Sequence, residues 1–79
     1  MLMLTNAEKL FCMYRLQLAG SGMTALIDAI FALDINNRTK LAMGFPELVE
    51  VVNRYNFENG YWEDLVKRWN EESAIQLDI

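Results

Sequence analysis

Residues 5–18 read TNAEKLFCMYRLQL and carry the clearest sign of the fold class. The first four residues, from Thr5 to Glu8, form a capping box. In this motif the Thr5 side chain accepts a hydrogen bond from the Glu8 amide, and the Glu8 side chain accepts one from the Thr5 amide. Gly20 suits a left-handed C-cap, so the sequence predicts a first helix over residues 6–19. Apolar residues recur along it at the spacing of one helix face, and they are Ala7, Leu10, Phe11, Tyr14 and Leu18.

The same periodicity predicts two further helices in the first half of the chain. Residues 22–33 are apolar around most of the helix circumference, which is typical of a central, buried helix. A shorter helix with a weaker pattern follows, capped by Asp34 or Asn36. It ends at Met43, with Gly44 as its C-cap.

Two more helices are predicted in the second half. Pro46 suits the first position of a helix and begins one over residues 46–55. Another covers residues 60–71, and its apolar stripe consists of Trp62, Leu65, Val66 and Trp69. The dipeptide at residues 59–60, Asn-Gly, also fits a β-hairpin turn, but the flanking residues repeat every 3.6 positions and not every two.

Opposite charges four residues apart predict ion pairs along the helix surfaces. In each pair the acidic residue comes first, which is the more favourable order. The pairs are Asp34–Arg38, Glu50–Arg54, Glu63–Lys67 and Asp64–Arg68.

These elements predict an all-α fold, a compact bundle of four to five short helices with a short C-terminal tail. Residues 1–71 form a single helical domain. Residues 72–79 are predicted to be either disordered or an arm that docks on another surface. The apolar residues of this tail alternate with polar ones, and they are Ile75, Leu77 and Ile79.

Size and charge limit the classes of function. The chain has 79 residues and a net charge of −4, and area scaling predicts that about 63% of its unfolded surface is buried on folding. Such a marginal core favours completion by a partner surface. Residues 45–79 carry a net charge of −5, which repels nucleic acid and anionic membranes. One cysteine and no visible signal peptide predict a cytoplasmic protein with no membrane association.

Residue types that carry common chemistry are scarce. The chain has no histidine, which removes the commonest general base and metal ligand. Cys12 is best interpreted as a packed thiol, and Glu47 and Glu50 as surface carboxylates. The Gly-Ser-Gly turn at residues 20–22 lacks the spacing and the lysine of a phosphate-binding loop. We therefore expect no enzymatic activity, no cofactor and no metal.

Aromatic and apolar side chains away from the main stripes indicate a protein-binding surface. Phe57 and Tyr61 fall off the stripes of their helices, and a second apolar face on the first helix includes Cys12. Aromatic residues are enriched at protein interfaces. The sequence thus predicts a non-enzymatic binding module (a regulator, adaptor, inhibitor or accessory protein) for a protein partner or a second copy. Its candidate contact residues are Phe57, Tyr61, Trp62, Trp69, Met13 and Leu16.

An alternative function is DNA binding through the short third helix, in a helix-turn-helix-like arrangement. Asparagine and arginine recognise base edges, and lysine contacts phosphate. The acidic character of the chain weighs against this alternative, since DNA-binding domains usually have a basic face. The residues concerned are Asn36, Asn37, Arg38 and Lys40.

Overall fold

The computed structural model describes residues 3–73, and within this range the chain forms five helices and no strand. The helices are α1 (Asn6–Arg15), α2 (Ser21–Ala32), α3 (Ile35–Leu41), α4 (Pro46–Phe57) and α5 (Tyr61–Glu72). The predicted all-α bundle of short helices is confirmed. Most of the proposed C-terminal arm, residues 74–79, lies outside the described residues, while Glu72 is the last residue of α5.

The capping box at the start of α1 is confirmed. The Glu8 amide donates to the Thr5 hydroxyl at 3.1 Å, and the Thr5 amide donates to the Glu8 carboxylate at 3.0 Å. Both side chains thereby satisfy amides that a helix start otherwise leaves without a partner.

The predicted end of α1 is wrong by four residues. The helix ends at Arg15, because Gln17 adopts a left-handed conformation with φ of 63°. The Gln17 amide donates to the carbonyl of Tyr14, and the Leu18 amide donates to that of Met13. This is the hydrogen-bond pattern of a Schellman C-cap, so the turn occurs at Gln17 and not at Gly20.

α4 occupies the centre of the bundle, because it packs against each of the other four helices. Its buried side meets apolar residues of α1, α2 and α5 in one core. The buried hydrophobic residues are Leu4, Ala7, Phe11, Cys12, Ile27, Ile30, Leu48, Val49, Val51, Val52, Tyr61, Leu65, Val66 and Trp69.

The prediction that the second helix is central and buried is wrong. α2 packs against α1 and α4, and only Ile27 and Ile30 on it are buried. Its outward positions include three alanines, Ala25, Ala29 and Ala32. An alanine exposes little apolar area. Contact of this face with water therefore costs less free energy than its number of apolar residues suggests.

Arg38 on α3 is buried, and the predicted ion pair with Asp34 is not formed. Its guanidinium donates to the carbonyls of Ile30 and Leu33 at 3.1 and 3.2 Å, and to the Asn53 side chain at 2.8 Å. Asp34 instead caps α3 by accepting from the amide of Asn37 at 2.8 Å. Arg38 therefore satisfies carbonyls at the end of α2 and joins them to α4.

α5 begins after Gly60, whose φ of 83° favours glycine. The predicted ion pair between Asp64 and Arg68 is confirmed at 2.9 Å. The buried face is rotated relative to the predicted stripe, because Tyr61 is fully packed while Trp62 is half-buried.

Replacement of Gln17 by glycine is expected to raise the free energy of unfolding by about 1 kcal/mol. The left-handed conformation costs a residue with a side chain about 1–2 kcal/mol, and the greater freedom of unfolded glycine offsets part of the gain. Urea denaturation measures the change.

The matched control is Gly20→Ala, since Gly20 has a φ of −63° and open space around an added Cβ atom. Because Gly20 is the N-cap of α2, where alanine is less favourable than glycine, we expect the free energy of unfolding to fall by at most about 1 kcal/mol. A clearly larger loss for Gly20→Ala, together with an unaffected Gln17→Gly, would place the left-handed residue at Gly20 and contradict the described turn.

Candidate functional site

An open groove with a volume of about 440 Å³ lies where the first turns of α1 and α2 meet the turn before α4. Its size is within the range of roughly 300–1,000 Å³ found for ligand sites. The lining residues are Thr5, Asn6, Ala7, Leu10, Met23, Gly44, Phe45, Glu47 and Leu48.

The turn between α3 and α4 presents an aromatic ring to this groove. Phe45 is the N-cap of α4, directly before Pro46, and its amide donates to the carbonyl of Leu41 at 3.1 Å. Proline at the first helical position fixes the backbone there. The Phe45 side chain is 43% exposed, so the turn holds a large apolar group at the surface.

The remaining apolar lining comes from α1 and α2. Ala7 and Leu48 are buried and form part of the core, while Leu10 is half-buried. Met23, in the first turn of α2, is 36% exposed. Methionine is unbranched and polarisable and adapts to irregular surfaces. The groove therefore combines a buried apolar base with two side chains that are open to solvent, the adaptable Met23 and the aromatic Phe45.

One wall of the groove is acidic. Glu47 lines it, and a smaller adjoining cavity of about 120 Å³ shares Thr5 and Glu47 and adds Glu50. Both glutamates are exposed, and neither carboxylate makes a hydrogen bond or ion pair with any residue that the structure describes. The predicted Glu50–Arg54 ion pair is wrong, because Arg54 pairs with Glu58 at 2.9 Å.

Behind this wall, Glu8 is buried and receives hydrogen bonds from three other residues. Arg68 donates two at 2.9 and 3.2 Å, the Tyr61 hydroxyl donates one at 2.8 Å, and the Thr5 amide donates the fourth. These contacts join the first turn of α1 to α5. We refer to Glu8, Arg68, Tyr61 and Thr5 as the Glu8 network.

The Glu8 network keeps the buried carboxyl ionised. Burial alone raises the pKa of Glu8, but the hydrogen bonds from Arg68, Thr5 and Tyr61 and the charge of Arg68 outweigh burial, so the net pKa is lowered. Burial, followed by the contact with the Glu8 carboxylate, raises the pKa of Tyr61. The stable state therefore pairs an ionised Glu8 with a protonated Tyr61 hydroxyl.

Arg54 packs against the Glu8 network through the ring of Tyr61. Its guanidinium lies 4.1 Å from the centroid of the Tyr61 ring while it pairs with Glu58. A cation over an aromatic face is favourable. Arg54, which lines the adjoining cavity together with Glu47 and Glu50, is thus already engaged by Glu58 and Tyr61.

Two of the predicted partner-binding residues, Tyr61 and Trp69, are buried in the core. Phe57 is 75% exposed, whereas Tyr61 is 2% exposed and Trp69 is also buried. The expectation that Tyr61 lies off the packing face is wrong, because it turns inward to donate to Glu8. Trp62, Met13 and Leu16 are half-buried and pack against the core.

The second apolar face predicted on the first helix is covered by the protein itself. Cys12 is fully buried, and burial raises the pKa of its thiol to about 12. α1 packs against α2, α4 and α5, so apolar residues on several of its sides contribute to one core. The interpretation of Cys12 as a packed thiol is confirmed.

A cluster of aromatic rings lies around Phe11, within 5.1–6.1 Å between centroids. Its other members are half-buried, and they are Tyr14, Phe31, Tyr55 and Trp62. The guanidinium of Arg15 lies 5.4 Å from the Trp62 ring. These rings pack against one another and cover the core, so they act mainly in folding.

The residues of the DNA-binding alternative are separated by burial. Arg38 is 7% exposed and its guanidinium is engaged in three hydrogen bonds. Asn36, Asn37 and Lys40 are exposed on the seven-residue helix α3. The arginine is held inside the protein, so it does not share a surface with the other three residues.

The described part of the chain holds neither a membrane-spanning helix nor a metal-binding cluster. None of the helices between residues 3 and 73 is both long enough and apolar enough to cross a lipid bilayer. The same part of the chain holds no group of three or more histidine, cysteine, aspartate or glutamate side chains placed to bind a metal ion.

Comparison of the chain with models of protein families, with curated proteins and with solved structures finds no match. The function is therefore inferred from the groove and its walls. Sequence patterns did not indicate this groove, because its lining comes from three separate segments. Met23 fitted the core stripe of its helix, and Phe45 lies in a turn.

Glu8→Gln is expected to lower the free energy of unfolding at pH 7 by about 3 kcal/mol, as for other broken buried ion pairs. The folded pKa of Glu8 is lowered, so its stabilisation is present above the ordinary glutamate pKa and is lost as the pH falls through the folded pKa. The difference between wild type and variant should therefore shrink on acidification. Urea denaturation from pH 7 to pH 3 measures it.

Glu63→Gln is the matched control, because Glu63 is an exposed glutamate on α5. We expect this exposed substitution to change the free energy of unfolding at pH 7 by less than about 0.5 kcal/mol. A Glu8→Gln variant with the same pH dependence as the wild type would show that Glu8 does not stabilise the fold as an ion.

Proposed function

We propose that this chain is a non-enzymatic protein-binding module whose contact surface is the groove between α1, α2 and the turn before α4. The observation that carries the proposal is the concentration of exposed apolar side chains there. Met23 and Phe45 line the groove and are 36% and 43% exposed. Met43, one residue before the lining residue Gly44, is 88% exposed.

The energetics of burial favour a partner at this surface. Complete burial of one large apolar side chain contributes about 1.5–3 kcal/mol. Phe45 and Met23 line the same groove as the buried residues Ala7 and Leu48. A partner side chain inserted among them would lose contact with water on all sides, as in the central anchors of protein interfaces.

Phe57 is weaker evidence for a binding surface than the groove is. It is the only large hydrophobic residue of the described segment 46–73 that is mostly open to solvent. Single exposed apolar side chains are ordinary on protein surfaces. The groove, in contrast, brings together apolar groups from three segments of the chain.

In this proposal the Glu8 network has a structural role and holds the groove in place. Glu8, Arg68 and Tyr61 satisfy one another within the fold. Their contacts fix the first turn of α1, which forms one side of the groove. A module of this kind would act by occupying a segment of a larger protein, as a regulator, adaptor or inhibitor does.

The proposal is tested by photo-crosslinking in the cell that makes the protein. A benzophenone amino acid replaces Phe45 in one variant and Phe57 in another. We expect an adduct of defined mass from position 45, because that ring would lie against the partner. The adduct should disappear when Met23→Asp is added, since a charge on the groove lining would oppose apolar contact.

Ile35→Asp is the matched control, because Ile35 is an exposed apolar residue that does not line the groove. It should leave the adduct at position 45 unchanged. Crosslinking from position 57 alone, no adduct from either position, or an adduct that survives Met23→Asp would each contradict the proposal.

A further inference from the structure

The charge of the groove restricts the kind of partner it accepts. None of its nine lining residues is basic, and Glu47 contributes a negative charge directly. Glu50 extends the same wall through the adjoining cavity. The wall therefore presents two carboxylates beside an apolar surface.

Neither carboxylate is neutralised within the described part of the chain. Glu47 and Glu50 make no ion pair or hydrogen bond there. The adjacent cation Arg54 is paired with Glu58 and stacked on Tyr61. The chain as a whole has a net charge of −4, so a cationic partner gains both local and long-range attraction.

The apolar lining of the groove suits a helical occupant. The groove is open to solvent, and its lining combines residues from the first turns of α1 and α4, the turn before α4 and Met23 of α2. Amphipathic helices bind grooves of this type by placing one apolar face against the base. Exposed methionine side chains adjust to such a face.

From this combination we infer that the groove binds a basic amphipathic helix of another protein. Its apolar stripe lies against Phe45, Met23 and Leu10, and its lysine or arginine side chains lie beside Glu47 and Glu50. This inference rests on the proposed function and adds the chemistry of the partner.

Synthetic peptides provide the probe. The first, of about 16 residues or just over four helical turns, contains leucine on one helix face and lysine on the other. The second has glutamine in place of lysine. The third has the composition of the first in a scrambled order without a helical apolar face. Isothermal titration calorimetry should show binding of the first peptide at least about tenfold tighter than of the other two.

Charge reversal locates the contact. The Glu47→Lys, Glu50→Lys double variant should lose about tenfold in affinity for the leucine–lysine peptide. The control, Glu63→Lys with Glu71→Lys, makes the same change in net charge on exposed positions of α5. It should change the affinity less than about twofold. Circular dichroism checks that both variants keep the helical fold.

The outcomes separate this inference from the proposed function. Equal binding of the lysine and glutamine peptides, sensitive to Met23→Asp, would overturn the basic partner and leave the groove as a binding site. Equal losses in the two double variants would show diffuse attraction and would also overturn it, as would absence of binding by all three peptides. A crosslinked dimer from position 45 would assign the groove to a second copy of the chain.

Discussion

The structure depends most on the ionised carboxylate of Glu8, buried beneath the first turn of α1. Burying a charge is unfavourable unless other groups replace the lost water. Here four hydrogen bonds do so, from Arg68, Tyr61 and the Thr5 amide. One side chain thus caps its own helix and fixes that helix against α5, which is far away in sequence.

The groove follows from this arrangement. Glu8 directs one side of α1 toward α5, and the opposite side, with Asn6 and Leu10, lines the groove. α4 packs in the centre, and the turn before it places Phe45 at the surface. Thr5 belongs both to the network and to the lining, whereas the exposed lining residues Met23, Phe45 and Glu47 lie outside the network. Substitutions at these exposed positions can test binding without removing the network.

Local patterns predicted the fold well and the tertiary contacts poorly. The capping box at Thr5 and the proline at the start of α4 specify backbone positions by themselves, so the helices were found. Arg38 was expected on the surface because a helical pattern cannot show the carbonyls of Ile30 and Leu33, which draw it inward. The groove was missed for the same reason, since it exists only when three segments meet.

At Glu8, the hydrogen bonds and the charge of Arg68 together outweigh burial, so the pKa of this carboxyl is lowered. The most direct test is an NMR titration of its side-chain carboxyl carbon, with a glutamate in a short unstructured peptide as the reference. We predict that Glu8 titrates at a lower pH than the peptide glutamate. A Glu8 midpoint equal to or above that of the peptide would show that burial dominates, and it would contradict the role assigned to the Glu8 network.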